Sequence, residues 1–190
     1  RQHKHVYRLW HMAGASIGCK GDGTVYLEAP ILVEQLRQTR EALKQVGENI
    51  RAICSLFAEY EFLLSIPGFG PEISSKDLAY IGNHYRFEKA SQVVKMAGFD
   101  LSAQRSGKTA HSALPTISKR GKADLRYALY QAALVATSSN RHFMKYYTEK
   151  LRGREKEKGI KTKMRVKVAA KMLVLAWTLM KKKEPFNPDY

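Results

Sequence analysis

The apolar positions of this chain change rhythm several times, and each change marks an element. From Ala29 the residues Leu32, Leu36, Thr39, Leu43, Val46, Ile50 and Ile53 follow at alternating steps of three and four, and Phe57, Tyr60 and Leu64 continue the series. That is a heptad seam, and it predicts one coiled-coil helix over residues 28–64. Glu34, Arg37, Arg40, Glu41, Lys44, Glu48 and Arg51 fill its outer faces. The seam is longer than a globular helix needs. This favours a coiled coil that joins copies of the chain; packing on another helix of the same molecule is the alternative.

The rhythm breaks at SIPGFGPEISSKDLAYIG, Ser65 to Gly82. Pro67 and Gly68 end one helix, and Pro71 suits the first turn of the next. Gly68 and Gly70 can take positive φ and leave backbone N–H groups uncovered. Helix, glycine hairpin, helix is a layout that can hold a phosphate at the hairpin amides and the following helix N-terminus. A plain αα-hairpin is the alternative.

Arg86–Phe99 reads as a short amphipathic helix ending at Gly98. Leu101–Lys119 has no helical period and predicts a long loop or a short β-hairpin near residues 100–118, a kind of segment that is usually functional inside a compact domain. Helices follow over Lys122–Ser138, with Leu125, Leu129, Ala132, Ala133 and Ala136 inward, and then at about 141–151 and 162–182. The fold class is therefore mainly α. Residues 1–27 are mixed, with four glycines in GASIGCKGDG, and read as a loop or linker.

Charge changes the picture. The 190 residues carry a formal net charge of +16. Residues 104–190 hold 21 Lys and Arg against six Asp and Glu, whereas residues 1–103 hold 12 against 11. So skewed a balance points to a polyanion, with nucleic acid ahead of a membrane surface. Cys19 and Cys54 make no disulfide framework, and the apolar run Met172–Met180 is too short to span a bilayer. These features point to a reducing, cytoplasmic setting.

The candidate chemistry lies in QRSGK, Gln104–Lys108. A bare Ser-Gly is ordinarily a turn. Here Ser106 has Arg105 and Lys108 beside it, and Lys119, Arg120, Lys122 and Arg126 follow. Ser102, Ser112 and Ser118 are the local competitors, Ser118 doubling as an N-cap candidate for the next helix. Tyr127 and Tyr130 are expected to pack in the core rather than act as nucleophiles. The histidines give no metal pattern. The basic span 150–167 is either a nucleic-acid face or a solvated loop.

Taken in order, SIPGFGPEIS, IGNHYRFEKASQVVKMAGF, QRSGK and ISKRGKADLRYALYQAAL resemble the C-terminal domain of a DEDD/serine family of insertion-sequence transposases related to the Piv-type DNA invertases. The resemblance runs from about Met12 to the end. It implies a domain order: residues 1–27 as the linker from an N-terminal RuvC-like domain, 28–64 as the coiled coil, and 65–190 as a helix-hairpin-helix serine transposase domain. It implies that Ser106 is the nucleophile that becomes linked to a DNA strand, with Gly107 beside it. Gly68, Gly70, Arg105, Lys108, Lys119, Arg120 and Arg126 are then the expected DNA and phosphate contacts. The expected partners are DNA, in some members a bridge RNA, and further copies through the coiled coil; no membrane is expected. No metal or cofactor is expected in these residues. Mg²⁺ is expected in the RuvC-like domain, without which this chain would be inactive, and the setting is a bacterial or archaeal nucleoid. Leu101 replaces the proline the family usually has five residues before the serine, and Lys122 replaces an asparagine or serine. A non-catalytic helix-hairpin-helix nucleic-acid-binding module is the alternative function.

Overall fold

A computed structural model describes residues 2–16, 23–102 and 116–188. They form two compact units, Arg1–Val46 and Gly47–Tyr190. The elements are α1 (Gln2–Ala15), α2 (Gly23–Cys54), α3 (Ala58–Leu64), α4 (Pro71–Ile81), a 3₁₀ turn (His84–Arg86), α5 (Ala90–Ala97), β1 (Leu101–Ser102), β2 (Thr116–Ile117), α6 (Ala123–Ser139), α7 (Arg141–Leu151) and α8 (Ile160–Lys182). The mainly α expectation holds, and the short β-hairpin is present as a two-stranded antiparallel pair. No described helix is long and apolar enough to cross a membrane.

The first unit contains α1 and most of α2. Part of the stretch read as a mixed linker is thus helical. The helix α2 also begins earlier than the seam predicts, at Gly23, and carries Pro30 in its interior. Its seam side chains are open within the chain: Leu36 is 51 % exposed and Leu43 67 %.

The expected single helix over residues 28–64 does not run through. It stops at Cys54, and α3 starts at Ala58. In between, Leu56 N–H donates to Ile53 and Phe57 N–H to Cys54, closing tighter rings than an α-helix. The Ser55 hydroxyl donates to the Ala52 carbonyl at 2.8 Å, a local bond that competes with the helical ladder. Phe57 is extended, at φ −104° and ψ 123°. The break lets the chain change faces: Ile53 and Phe57 stay exposed, while Tyr60, Leu63 and Ile66 turn into the core. A continuous heptad would have used Leu64 instead of Leu63.

The second unit is built around α8. Its buried face, Val168, Met172, Ala176 and Leu179, meets Leu125, Leu129, Ala132 and Ala136 of α6 in one hydrophobic cluster with α3, α5 and α7. Two polar bonds fix α8 against the 3₁₀ turn. Trp177 Nε1 donates to the His84 carbonyl at 3.0 Å, and Lys181 Nζ to the Phe87 carbonyl at 2.8 Å. Beyond α8, the Phe186 ring stacks on Phe143 at 5.9 Å, and Phe186 N–H donates to Ser65 Oγ at 2.7 Å.

One buried group opposes the fold. Asp77 of α4 is fully buried, and neither of its carboxylate oxygens has a hydrogen-bond partner. Burial holds its pKa well above the usual carboxylate range. Folded Asp77 therefore keeps its proton to a higher pH than the unfolded chain does. Its burial is tolerated fully below the unfolded value, about 3.9, and stability falls as pH rises from there toward the folded value. The substitution Asp77→Asn is expected to raise stability to urea at pH 7.5 by about 1–3 kcal/mol, with the gain vanishing near pH 4. Equal midpoints for parent and variant at pH 7.5 would refute this account.

Candidate functional site

The described part of the candidate site is a platform made where two backbones cross. The helix α5 ends at Gly98, which is left-handed at φ 74°. Gly98 N–H donates to Lys95 and Phe99 N–H to Val94, closing the helix end. The chain then extends into β1, and the pair Leu101↔Ile117 and Ser102↔Thr116 brings it back along β2. Lys119 turns left-handed, at φ 57°, a costly conformation for a residue with a side chain. The turn lets Lys119 N–H donate to the Gly98 carbonyl at 3.0 Å and Lys122 N–H to Met96 at 3.2 Å.

Gly121 passes directly over the end of α5. A Cβ there would overlap the Met96 carbonyl and the Ala97–Gly98 peptide. A Cβ on Gly98 would lie 2.6 Å from Gly121 N. The two glycines are thus a single packing device, which the sequence did not reveal because they lie far apart in the chain. Ser118 completes the platform: its hydroxyl donates to Asp100 Oδ1 at 2.5 Å, and its N–H to the Asp100 carbonyl at 2.7 Å. Ser118 is therefore a strap across the ribbon. The N-cap position of α6 falls to Lys122, which makes no side-chain cap.

This platform carries both ends of residues 103–115. Arg105, Ser106, Gly107 and Lys108 lie outside the described residues, as does Ser112. Three of the other expected phosphate contacts gather at the root of the ribbon. Lys119 and Arg120 are exposed beside it. Arg126, half-buried, has a structural bond: Nη1 donates to the Ala97 carbonyl at 2.8 Å, placing a cation at the C-terminal end of α5. Lys122 adds its ammonium 5.8 Å from the centre of the Tyr80 ring.

The hairpin glycines divide. Gly68 takes positive φ, 88°, and packs against α6; a Cβ would meet the Ala132 carbonyl. Gly70 does not take positive φ. It is the extended N-cap of α4 at φ −98°, with open space where a side chain would be. Pro71 opens α4 as expected, and Glu72 places a carboxylate in the first turn, paired with Lys76 at 2.8 Å. Hydrogen bonding to Glu72 raises the Lys76 pKa.

Tyr127 departs from expectation. It is 66 % exposed rather than packed, while Tyr130 is half-buried. Lying two residues from both Leu125 and Leu129, it falls on the opposite face of α6. Among the described residues no group of three or more His, Cys, Asp or Glu side chains could hold a metal. Asp100 holds Ser118, Asp124 lies 3.4 Å from the Tyr80 hydroxyl, and Asp77 is buried alone.

No curated protein matches the chain. Residues 60–148, from α3 to near the end of α7, match the model of the Transposase IS116/IS110/IS902 family. The matched span contains the platform and residues 103–115, and it supports an insertion-sequence transposase.

Proposed function

We propose that this chain is the serine-bearing half of an insertion-sequence transposase, in which Ser106 attacks a DNA phosphodiester. The observation that carries this reading is the joining of a transposase match to a close-packed platform formed by the segments that flank QRSGK in the chain. Gly98 and Gly121 lock the ribbon ends, while Lys119 and Arg120 stand exposed beside them. A reactive loop needs such a fixed root, because misplacing a nucleophile by about 1 Å costs on the order of 10²-fold in rate.

In the proposed step the Ser106 Oγ–P bond forms as the bond from phosphorus to the leaving sugar oxygen breaks. The serine gives up its proton, and the leaving oxygen gains one. Attack by the hydroxyl of a second strand reverses the sequence and frees the serine, so the phosphoester bond is conserved throughout. Arg105, Lys108, Lys119 and Arg120 stabilise charge on the phosphate, and Gly107 lets the backbone come close. Arg126 acts by holding the platform. At the hairpin, Gly70 rather than Gly68 is where backbone can approach a DNA phosphate. No metal-dependent step is assigned to these residues. The RuvC-like domain, its Mg²⁺ and a bridge RNA belong to this reading as partners. The experiment is strand exchange by the complete protein with Ser106→Ala: DNA binding persists and exchange stops, whereas normal exchange would end the proposal.

The same reading has α2 joining copies of the chain, since recombination holds several sites together. The charges of α2 lie at outer positions, as in the pair Glu34–Arg37 at 3.9 Å, leaving the seam uncharged. Replacing Leu36 and Leu43 by lysine is expected to convert the assembly to a monomer in light scattering, with the helical core of the second unit still folded by circular dichroism. An unchanged mass would refute assembly through α2.

A further inference from the structure

The strongest concentration of charge lies beyond the transposase match, where α7 meets α8. From Lys150 to Lys171 there are ten Lys and Arg and two acids, Glu155 and Glu157. Both acids are occupied locally. Glu157 takes the Arg154 guanidinium at 2.8 Å, which raises the Arg154 pKa and lowers that of Glu157. Glu155 accepts from Gly153 N–H at 3.1 Å. Among the described residues no carboxylate pairs with Lys163, Lys167 or Lys171, all of them exposed.

Their spacing is regular. Lys163, Lys167 and Lys171 follow at steps of four on α8, so they share a face and rise about 6 Å each along the axis. At Lys171 this track meets α7. Lys171 Nζ lies 4.0 Å from the centre of the Tyr146 ring, and Lys150 Nζ lies 5.6 Å from the same ring. Arg165 sits over Tyr147 at 5.6 Å, with its buried Nε unpartnered. Rings thus steady Lys150, Arg165 and Lys171, while the field of Glu157 reaches Lys163 without forming an ion pair.

The arrangement works against the fold. Like charges at i, i+4 repel, and cations in the first turns of a helix oppose its dipole. The first turn of α8 has no acid to compensate. A dense row of unpaired, exposed cations is relieved by a polyanion with regularly spaced charges, and duplex DNA carries one phosphate charge per about 1.7 Å of its axis.

We infer that the α7–α8 face is a sequence-independent contact for the backbone of duplex DNA, with Lys163, Lys167 and Lys171 as its track. This rests on the transposase reading for the identity of the polyanion. It adds a surface that holds the duplex through phosphates alone, with its lysine track outside the matched span.

The test uses the 190-residue chain and a 30-base-pair duplex of arbitrary sequence, with affinity measured by fluorescence anisotropy from about 50 to 200 mM KCl. The triple variant Lys163→Gln, Lys167→Gln, Lys171→Gln is expected to reduce the slope of log affinity against log salt by about 2–3, near 0.9 per lost phosphate contact. Its melting temperature should stay within about 2 °C of the parent, because relief of repulsion offsets the lost contact of Lys171 with Tyr146. A control with Lys4, Lys44 and Lys95 replaced by glutamine should keep the parent slope. An unchanged slope in the α8 variant overturns the inference. So does an equal loss in the control, or a loss seen only with RNA of the same length. None of these outcomes bears on Ser106, and inactivity of Ser106 in strand exchange would leave this slope where it is.

Discussion

Gly121→Ala is expected to lower the melting temperature of the chain by about 6–12 °C, corresponding to roughly 3 kcal/mol in a domain of this size. The cause is local. A methyl group at Gly121 would occupy the space of the Met96 carbonyl and the Ala97–Gly98 peptide, and backbone cannot rotate away as a side chain can. Relief requires lifting the turn off α5, which breaks the bonds from Lys119 to Gly98 and from Lys122 to Met96. Those bonds fix the root of the β1–β2 ribbon, so strand exchange should fail in Gly121→Ala even at temperatures where the protein is folded. Gly70→Ala is the comparison. Its φ is ordinary and its surroundings are open, so its melting temperature should shift by no more than about 2 °C. Near-equal effects at the two glycines, measured by calorimetry, would show that the crossing does not bear on stability.

The second large effect is on chemistry. Ser106→Ala in the complete protein should reduce strand exchange by about 10⁴-fold or more, the scale seen when a covalent nucleophile is removed. Affinity for DNA should stay within about twofold, because a serine hydroxyl supplies little of an electrostatic interaction dominated by phosphates. The neighbouring serines separate the roles. Ser118→Ala breaks the strap to Asp100 and should cost about 1 kcal/mol of stability while leaving exchange measurable. Retained exchange in Ser106→Ala, or its complete loss in Ser118→Ala with the fold intact, would move the nucleophile elsewhere.

Much of the second unit was legible because its helices repeat apolar residues at helical spacing. Leu125, Leu129, Ala132 and Ala136 gave α6, and Gly98 gave the end of α5. Other features depend on contacts between distant segments, which periodicity does not encode. The seam ran on without interruption through Ser55–Phe57, because a heptad count is blind to a change of buried face between Phe57 and Leu63. Gly121 stands next to Lys119 and Arg120, so its surroundings drew attention to phosphate; its packing against Gly98 appears only when the ribbon closes. Arg126 looked like a free cation for the same reason, since its acceptor, the Ala97 carbonyl, is far back in the chain. An amphipathic helix suggests a core place for Tyr127, but its position opposite Leu125 and Leu129 puts it outward. Asp77 carried no warning at all, because a single acid within a helical pattern looks like surface until the surrounding helices cover it.

The most direct test of the central proposal is chemical. The complete protein, with Mg²⁺ and any guide RNA, is incubated with a nicked DNA target, digested with protease and nuclease, and its peptides are read by mass spectrometry. The account predicts a nucleotide joined through phosphate to Ser106, absent from Ser106→Ala. Robust DNA binding with no nucleotide on any residue, or a nucleotide on a different side chain, would contradict it.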